Sequence, residues 1–97
     1  MPTYITLYKL TDQGAKSIKD APARIRKGIQ AFEAAGGKLI GFYAVMGQYD
    51  YIGIGEGPND ETAVALSLAN SSLGFAKTTT LRAFTVDEFS AIVQKLP

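Results

Sequence analysis

The chain contains 97 residues, of which 46% are hydrophobic and 20% charged, and its formal net charge is +1. A sequence of this length and balance forms one globular domain, over residues 1–97, and is neither intrinsically disordered nor membrane-spanning. Because cysteine and histidine are both absent, the composition excludes disulfides, thiolate nucleophiles, zinc fingers and the usual haem ligation. We therefore expect neither a metal site nor a cofactor.

Residues 3–10 alternate between two sets of side chains, which predicts the first strand rather than a targeting segment. We therefore expect a cytoplasmic protein. Thr11 is placed to cap a short helical turn that begins at Asp12, and Pro22 falls in the first turn of a longer helix. The stripe of that helix predicted to face the core consists of Ile18, Ile25, Ile29 and Phe32.

Two adjacent glycines, Gly36 and Gly37, are expected to end this helix, and residues 38–46 and 50–57 are typical of two strands in a hairpin. Asn59 can cap a second long helix that runs to about residue 73, and residues 78–84 form the fourth predicted strand. A capping-box pattern, in which Thr85 is followed three positions later by Glu88, then predicts a short C-terminal amphipathic helix.

The order of these elements predicts an α+β, ferredoxin-like βαββαβ fold with an extra C-terminal helix. Its four-stranded antiparallel sheet carries both long helices on one face. The side chains expected to face the helices are Ile5, Leu7, Ile52, Ile54, Leu81 and Ala83. Alternation then assigns the following residues to the open face: Tyr4, Thr6, Tyr8, Tyr51, Gly53, Gly55, Gly57, Thr78, Thr80 and Arg82.

Three glycines at alternate positions, Gly53, Gly55 and Gly57, leave one face of the third strand as bare backbone. Glycine weakens a strand unless something lies against it. One interpretation is structural, with tyrosine rings or a second subunit covering the glycines. The other is a slot for a flat or acyl ligand beneath Tyr4 and Tyr8.

Arg82 is the main candidate for a polar anchor on the same face as Thr80. A planar guanidinium with five donors can bind a carboxylate or phosphate in bidentate fashion. The predicted ligand-binding residues are therefore Tyr4, Tyr8, Thr80 and Arg82. The alternative is that Arg82 forms a salt bridge across a subunit interface, with Glu56 as one source of the carboxylate.

The turn Gly47-Gln48-Tyr49-Asp50 suits a structural role. Glycine permits a positive φ, and an aspartate beside a turn can accept backbone N–H bonds. We interpret Gly47, Tyr49 and Asp50 as a hairpin signature. A catalytic role for Asp50 would require burial or a partner that raises its pKa.

Charge is divided unevenly, since residues 1–48 hold seven basic and three acidic side chains whereas residues 49–97 hold three and six. Such a distribution can orient one subunit against another. The basic residues cluster around the first long helix, where a solvated helix face explains them. Nucleic acid is not expected as a partner, because single-strand binders of this topology place aromatic residues where the third strand has glycines.

Several motifs together resemble the GYD-domain family of small bacterial proteins, and the resemblance covers essentially the whole chain. Gln48 separates Gly47 from the Tyr-Asp pair for which the family is named. The resemblance implies a dimeric α+β barrel, in which the open sheet faces of two subunits pack together. The motifs are Leu10-Thr11-Asp12-Gln13-Gly14, Pro22-Ala23-Arg24, Gly36-Gly37-Lys38, Gly47-Gln48-Tyr49-Asp50, Pro58-Asn59-Asp60-Glu61 and Thr80-Leu81-Arg82-Ala83-Phe84-Thr85.

Three functional hypotheses follow. The first is a homo-oligomeric binding protein for a small apolar or anionic ligand. The second, implied by resemblance to enzymes of the barrel superfamily, is a cofactor-free oxygenase or isomerase acting on an aromatic or polyketide-like substrate. The third is a structural assembly module or a stand-alone effector-binding domain, similar to those of leucine-responsive-type regulators.

Overall fold

Four antiparallel strands and two long helices form the framework of the molecule. A computed structural model describes residues 1–97. The elements are β1 (Thr3–Leu10), α1 (Asp12–Lys16), a 3₁₀ turn (Ile18–Asp20), α2 (Ala21–Ala34), β2 (Lys38–Ala44), β3 (Tyr51–Glu56), α3 (Asp60–Ser72), β4 (Ala76–Ala83) and α4 (Val86–Val93). The strand order is β2-β3-β1-β4 with every pairing antiparallel, which confirms the predicted ferredoxin-like fold. None of the helices combines the length and apolar character needed to cross a bilayer.

The predicted helix caps are confirmed. The Thr11 side chain accepts a hydrogen bond from the Gly14 amide, and the Asn59 side chain accepts one from the Thr62 amide at 2.8 Å. Thr85 begins α4 with the reciprocal capping box that its spacing predicts. These side chains satisfy backbone donors that the first helical turn leaves unpaired.

One residue assigned to the stripe of the long helix lies outside that helix. Ile18 belongs to the 3₁₀ turn and is 47% exposed, because α2 begins only at Ala21. Proline fits the first turn of a helix, where no amide donor is needed, and Pro22 therefore marks the true start.

The predicted assignment of the two sheet faces is wrong. Ser67 and Ser71 of α3 lie within hydrogen-bonding distance of Thr80 and Thr78, at 2.5 and 3.3 Å between hydroxyl oxygens. A Cβ on Gly55 would lie 2.8 Å from the ring of Phe32 in α2. The tyrosine, threonine and glycine face therefore packs beneath the helices, since serine hydroxyls match the threonines and glycine admits a ring.

Aliphatic side chains occupy the opposite face, where neither long helix lies. The register pairs Ile5 with both Ile54 and Leu81, and Leu7 with Ile52. Tyr43 extends this surface on β2, where it pairs with Ile52. Leu81 is 44% and Tyr43 57% exposed, so the chain itself leaves this aliphatic sheet face uncovered.

The C-terminal helix α4 projects from the rest of the fold. All of its residues are exposed, and the molecule measures 52 × 30 × 19 Å along its principal axes. The apolar side chains predicted to form one face of α4 are thus without a partner in this chain: Phe89, Ile92, Val93 and Leu96.

Replacing Gly55 by valine should destabilise the protein by about 1 to 3 kcal/mol, despite valine's better strand propensity. The new side chain would meet the Phe32 ring at 2.8 Å and the Lys38 carbonyl oxygen at 3.1 Å. Urea denaturation measures the change in the free energy of unfolding, and thermal denaturation measures the change in melting temperature. In the matched control Gly28→Ala, the new Cβ has nothing within 4 Å, so stability should rise by up to about 1 kcal/mol. An unchanged or higher melting temperature for Gly55→Val would contradict this packing.

Candidate functional site

A cavity of about 530 Å³ lies between the sheet and the two long helices. Its volume falls within the range of roughly 300 to 1,000 Å³ that is typical of small-molecule sites. The sheet supplies Thr6, Gly53 and Thr80 from its helix-facing side, and α2 and α3 supply the opposing walls. Most of the lining residues are apolar, as expected of such a site.

Small residues on facing elements explain why this space is open. Gly28 contributes no side chain from α2, whereas the Phe42 ring covers the bare backbone at Gly53, 3.2 Å from the position of a Cβ there. A Cβ on Gly28 would meet no atom within 4 Å, so the helix there faces empty space. On α3 the lining includes Ala63 and Ser67, whose short side chains add little bulk to the cavity.

Tyr4 and Phe32 line the cavity with aromatic rings. Tyr4 is only 7% exposed, and its ring lies 3.3 Å from the position of a Cβ on Gly57. Its hydroxyl donates to Asp60 Oδ1 at 2.5 Å. Desolvation and then the hydrogen bond to Asp60 raise the pKa of Tyr4 above its ordinary value, so the phenol remains protonated at neutral pH.

Arg82 lies beside Tyr4 and is not part of the cavity lining. Its guanidinium stands 4.6 Å from the ring centroid of Phe84 and 5.8 Å from that of Tyr4. Its Nε lies 4.0 Å from Asp60 Oδ1, and its Nη1 donates to the Ala83 carbonyl at 2.5 Å. The structure therefore brings three of the four predicted ligand residues, Tyr4, Tyr8 and Thr80, to the cavity, and places the fourth next to it.

An aromatic cluster forms another part of the cavity wall. The ring centroid of Tyr8 lies 5.4 Å from that of Phe42 and 6.3 Å from that of Tyr51. Burial raises the pKa of Tyr8. The hydroxyl of Tyr51 is buried and has no hydrogen-bond partner within the protein. A buried polar atom without a partner costs free energy, so this hydroxyl is available to a bound molecule.

Two cationic residues, Arg24 and Lys27, line the cavity from α2. Arg24 stacks on Phe75, with 4.0 Å between its guanidinium carbon and the ring centroid, and donates to the Ser17 carbonyl at 3.1 Å. Sequence reasoning assigned Arg24 to a solvated helix face. Helical spacing could have placed Arg24 at the cavity, because Arg24, Gly28 and Phe32 are spaced four residues apart and so share one side of α2.

The hairpin signature lies at the end of β1 and outside the cavity lining. The Asp50 amide donates to the Tyr8 carbonyl at 2.8 Å, and Asp50 Oδ2 accepts from the Leu10 amide at 2.8 Å. Gly47 adopts a φ of 110°, which glycine accommodates without strain. Asp50 thus fastens the β2–β3 connection to β1, while Tyr49 lies in that connection and is partly buried.

Comparisons with known proteins cover nearly the whole chain. The family model described as the GYD domain matches residues 4–93. A protein from Thermus thermophilus, named "glutamine synthetase and cystathionine beta-lyase binding protein", is 37% identical over 92 residues. That alignment covers 94% of this chain and 97% of the relative. No solved structure matches the chain.

Proposed function

The chain belongs to the GYD domain family, and from this premise we propose that it is a homo-oligomeric binding protein that holds a small ligand between its helices and sheet. The observation that carries this proposal is the cavity of about 530 Å³. Protein interiors are otherwise close-packed, with few voids larger than a water molecule. Tyr4, Tyr8 and Thr80 contribute to its walls, and the apolar majority of the lining suits a ligand with an apolar body.

Filling the cavity from α2 should abolish ligand binding without unfolding the protein. In Gly28→Leu the new side chain enters open space, and leucine is the better helix former. Native mass spectrometry of the purified protein should detect a retained small molecule in the wild type and none in Gly28→Leu. The melting temperature should be unchanged or higher.

The control for this experiment is Gln30→Leu, which adds the same side chain at an exposed position of α2 outside the cavity. It should retain the ligand. Failure of the wild type to retain any small molecule, or of Gly28→Leu to release it, would overturn the proposal.

Self-association through the aliphatic sheet face is the second part of the proposal. That face joins Ile5, Leu7, Ile52 and Ile54 into one apolar surface, which Leu81 extends. Contiguous exposed apolar surfaces on a small protein mark sites of association. A two-fold arrangement of two such faces is self-complementary, so it forms a closed dimer.

A charge on this face should dissociate the oligomer. Leu81→Asp would place a carboxylate in the apolar interface, where it has no partner and is costly to desolvate. Analytical ultracentrifugation should find the wild type larger than the 10.4 kDa chain and the variant at that mass. Met46→Asp, at a position that is 97% exposed in the hairpin connection, should remain associated. A monomeric wild type at micromolar concentration would refute the interface.

Binding to metabolic enzymes is a second candidate function, favoured by the name of the Thermus relative. The unpartnered apolar side of α4 supports it. Phe89 is 58% and Val93 44% exposed on that side, and the helix stands away from the core. An amphipathic helix of this kind can lay its apolar side in a groove of a partner.

The test is co-elution of the purified chain with glutamine synthetase or cystathionine beta-lyase from its own organism. The wild type should co-elute with at least one enzyme, and Phe89→Glu should not, because the charge interrupts the apolar side of α4. Gln94→Glu adds the same charge at the C-cap of α4, away from its apolar side, and should bind normally. Absence of co-elution of the wild type with both enzymes would exclude this function.

A further inference from the structure

We propose that the ligand is a small monocarboxylate with an apolar body, and that its carboxylate pairs with Arg24; this inference rests on the ligand cavity proposed above. The cavity combines an apolar interior with positive charge at one place on its wall. Arg24 and Lys27 are the charged side chains of the lining, and no aspartate or glutamate is among the lining residues. A cation partly removed from water favours an anionic partner, and the protein supplies none inside the cavity.

Most of the N–H donors of the Arg24 guanidinium have no hydrogen-bond partner in the protein. Its hydrogen bond to the Ser17 carbonyl uses one of five N–H groups. The ion pair that the structure contains joins Arg82 to Asp60, so no carboxylate of the chain neutralises Arg24. Stacking on Phe75 fixes the plane of the guanidinium, which prepares it for a two-point contact with a carboxylate.

The position of Arg24 gives the ligand a direction. Phe75, on which Arg24 stacks, directly precedes Ala76, and Ala76 pairs with Leu10 at the end of β1. Tyr4 and Phe32 line the cavity towards the other end of β1. The carboxylate therefore lies at the Leu10 end, and the apolar body extends past Gly28 towards Tyr4 and Phe32.

A second polar group faces the same end of the sheet. Tyr51 pairs with Tyr8, two residues before Leu10, and its buried hydroxyl has no partner in the protein. A hydroxyl in this state can donate to an oxygen of a bound molecule. A purely apolar ligand would leave the Tyr51 hydroxyl and the Arg24 guanidinium without hydrogen-bond partners. The carboxylate of an apolar acid can accept hydrogen bonds from both groups.

The experiment compares octanoate with 1-octanol and octylammonium, which share a chain length and differ in charge. Isothermal titration of the ligand-stripped protein at neutral pH should give a dissociation constant for octanoate at least about tenfold below those of the other two probes. Arg24→Gln should raise the dissociation constant of octanoate by about tenfold and leave that of 1-octanol unchanged. Arg24→Lys should recover part of the loss, since it keeps the charge without the planar fork.

The matched control is Arg26→Gln, which removes an exposed positive charge of α2 outside the cavity lining and should change neither dissociation constant. Equal binding of the three probes by the wild type, or tighter binding of octylammonium, overturns the carboxylate assignment and leaves the ligand cavity standing. An equal loss of octanoate and 1-octanol in Arg24→Gln also overturns it, because the residue would then act on the fold. Failure of all three probes to bind overturns both the assignment and the proposed function.

Discussion

The close approach of Phe32 to the bare backbone of β3 determines how this molecule is arranged. Gly55 lets the ring come to a distance that a Cβ at that position would forbid, and Gly57 leaves room for the ring of Tyr4. These contacts fix α2 above the sheet at one end. Towards the other end Gly28 leaves the space beneath α2 unfilled, so the same helix covers a cavity there. Strand stability is therefore reduced at Gly53 and Gly55 within β3, and at both positions an aromatic ring packs against the bare backbone.

The side chains that lie beneath the helices also determine which residues are left on the other face of the sheet. Threonine can face α3 because serine hydroxyls on that helix match it, at Ser67 with Thr80 and at Ser71 with Thr78. The aliphatic residues of β1, β3 and β4 are then left on the side that no helix of this chain covers. A monomer with this division exposes its most apolar sheet surface, which is the physical ground for the proposed self-association.

Local signals in the sequence were sufficient for the elements and their order. Thr11, Asn59 and the pair Thr85 and Glu88 mark helix starts by chemistry that involves only neighbouring residues. The face assignment failed because a period of two separates the two sides of a strand without saying which side is inner. Both sides of β1 are largely apolar, so the decision depends on Phe32 and Ser67, which are distant in sequence. Packing also decides which arginine meets the cavity, since Arg82 lies beside it near Asp60 and only the packing of α2 distinguishes Arg24 from its exposed neighbour Arg26.

The proposed ligand site and the proposed assembly surface lie on opposite sides of a single layer of backbone. Along β1, Tyr8 faces the cavity while Leu7 faces outward, and β3 alternates in the same way at Gly53 and Ile52. Occupying the cavity therefore leaves the assembly surface physically unobstructed. Any influence of one on the other must pass through a shift of these two central strands, and Asp50 restrains such a shift by bonding the β2–β3 connection to both Tyr8 and Leu10. The hairpin signature thus stabilises the part of the sheet on which both surfaces depend.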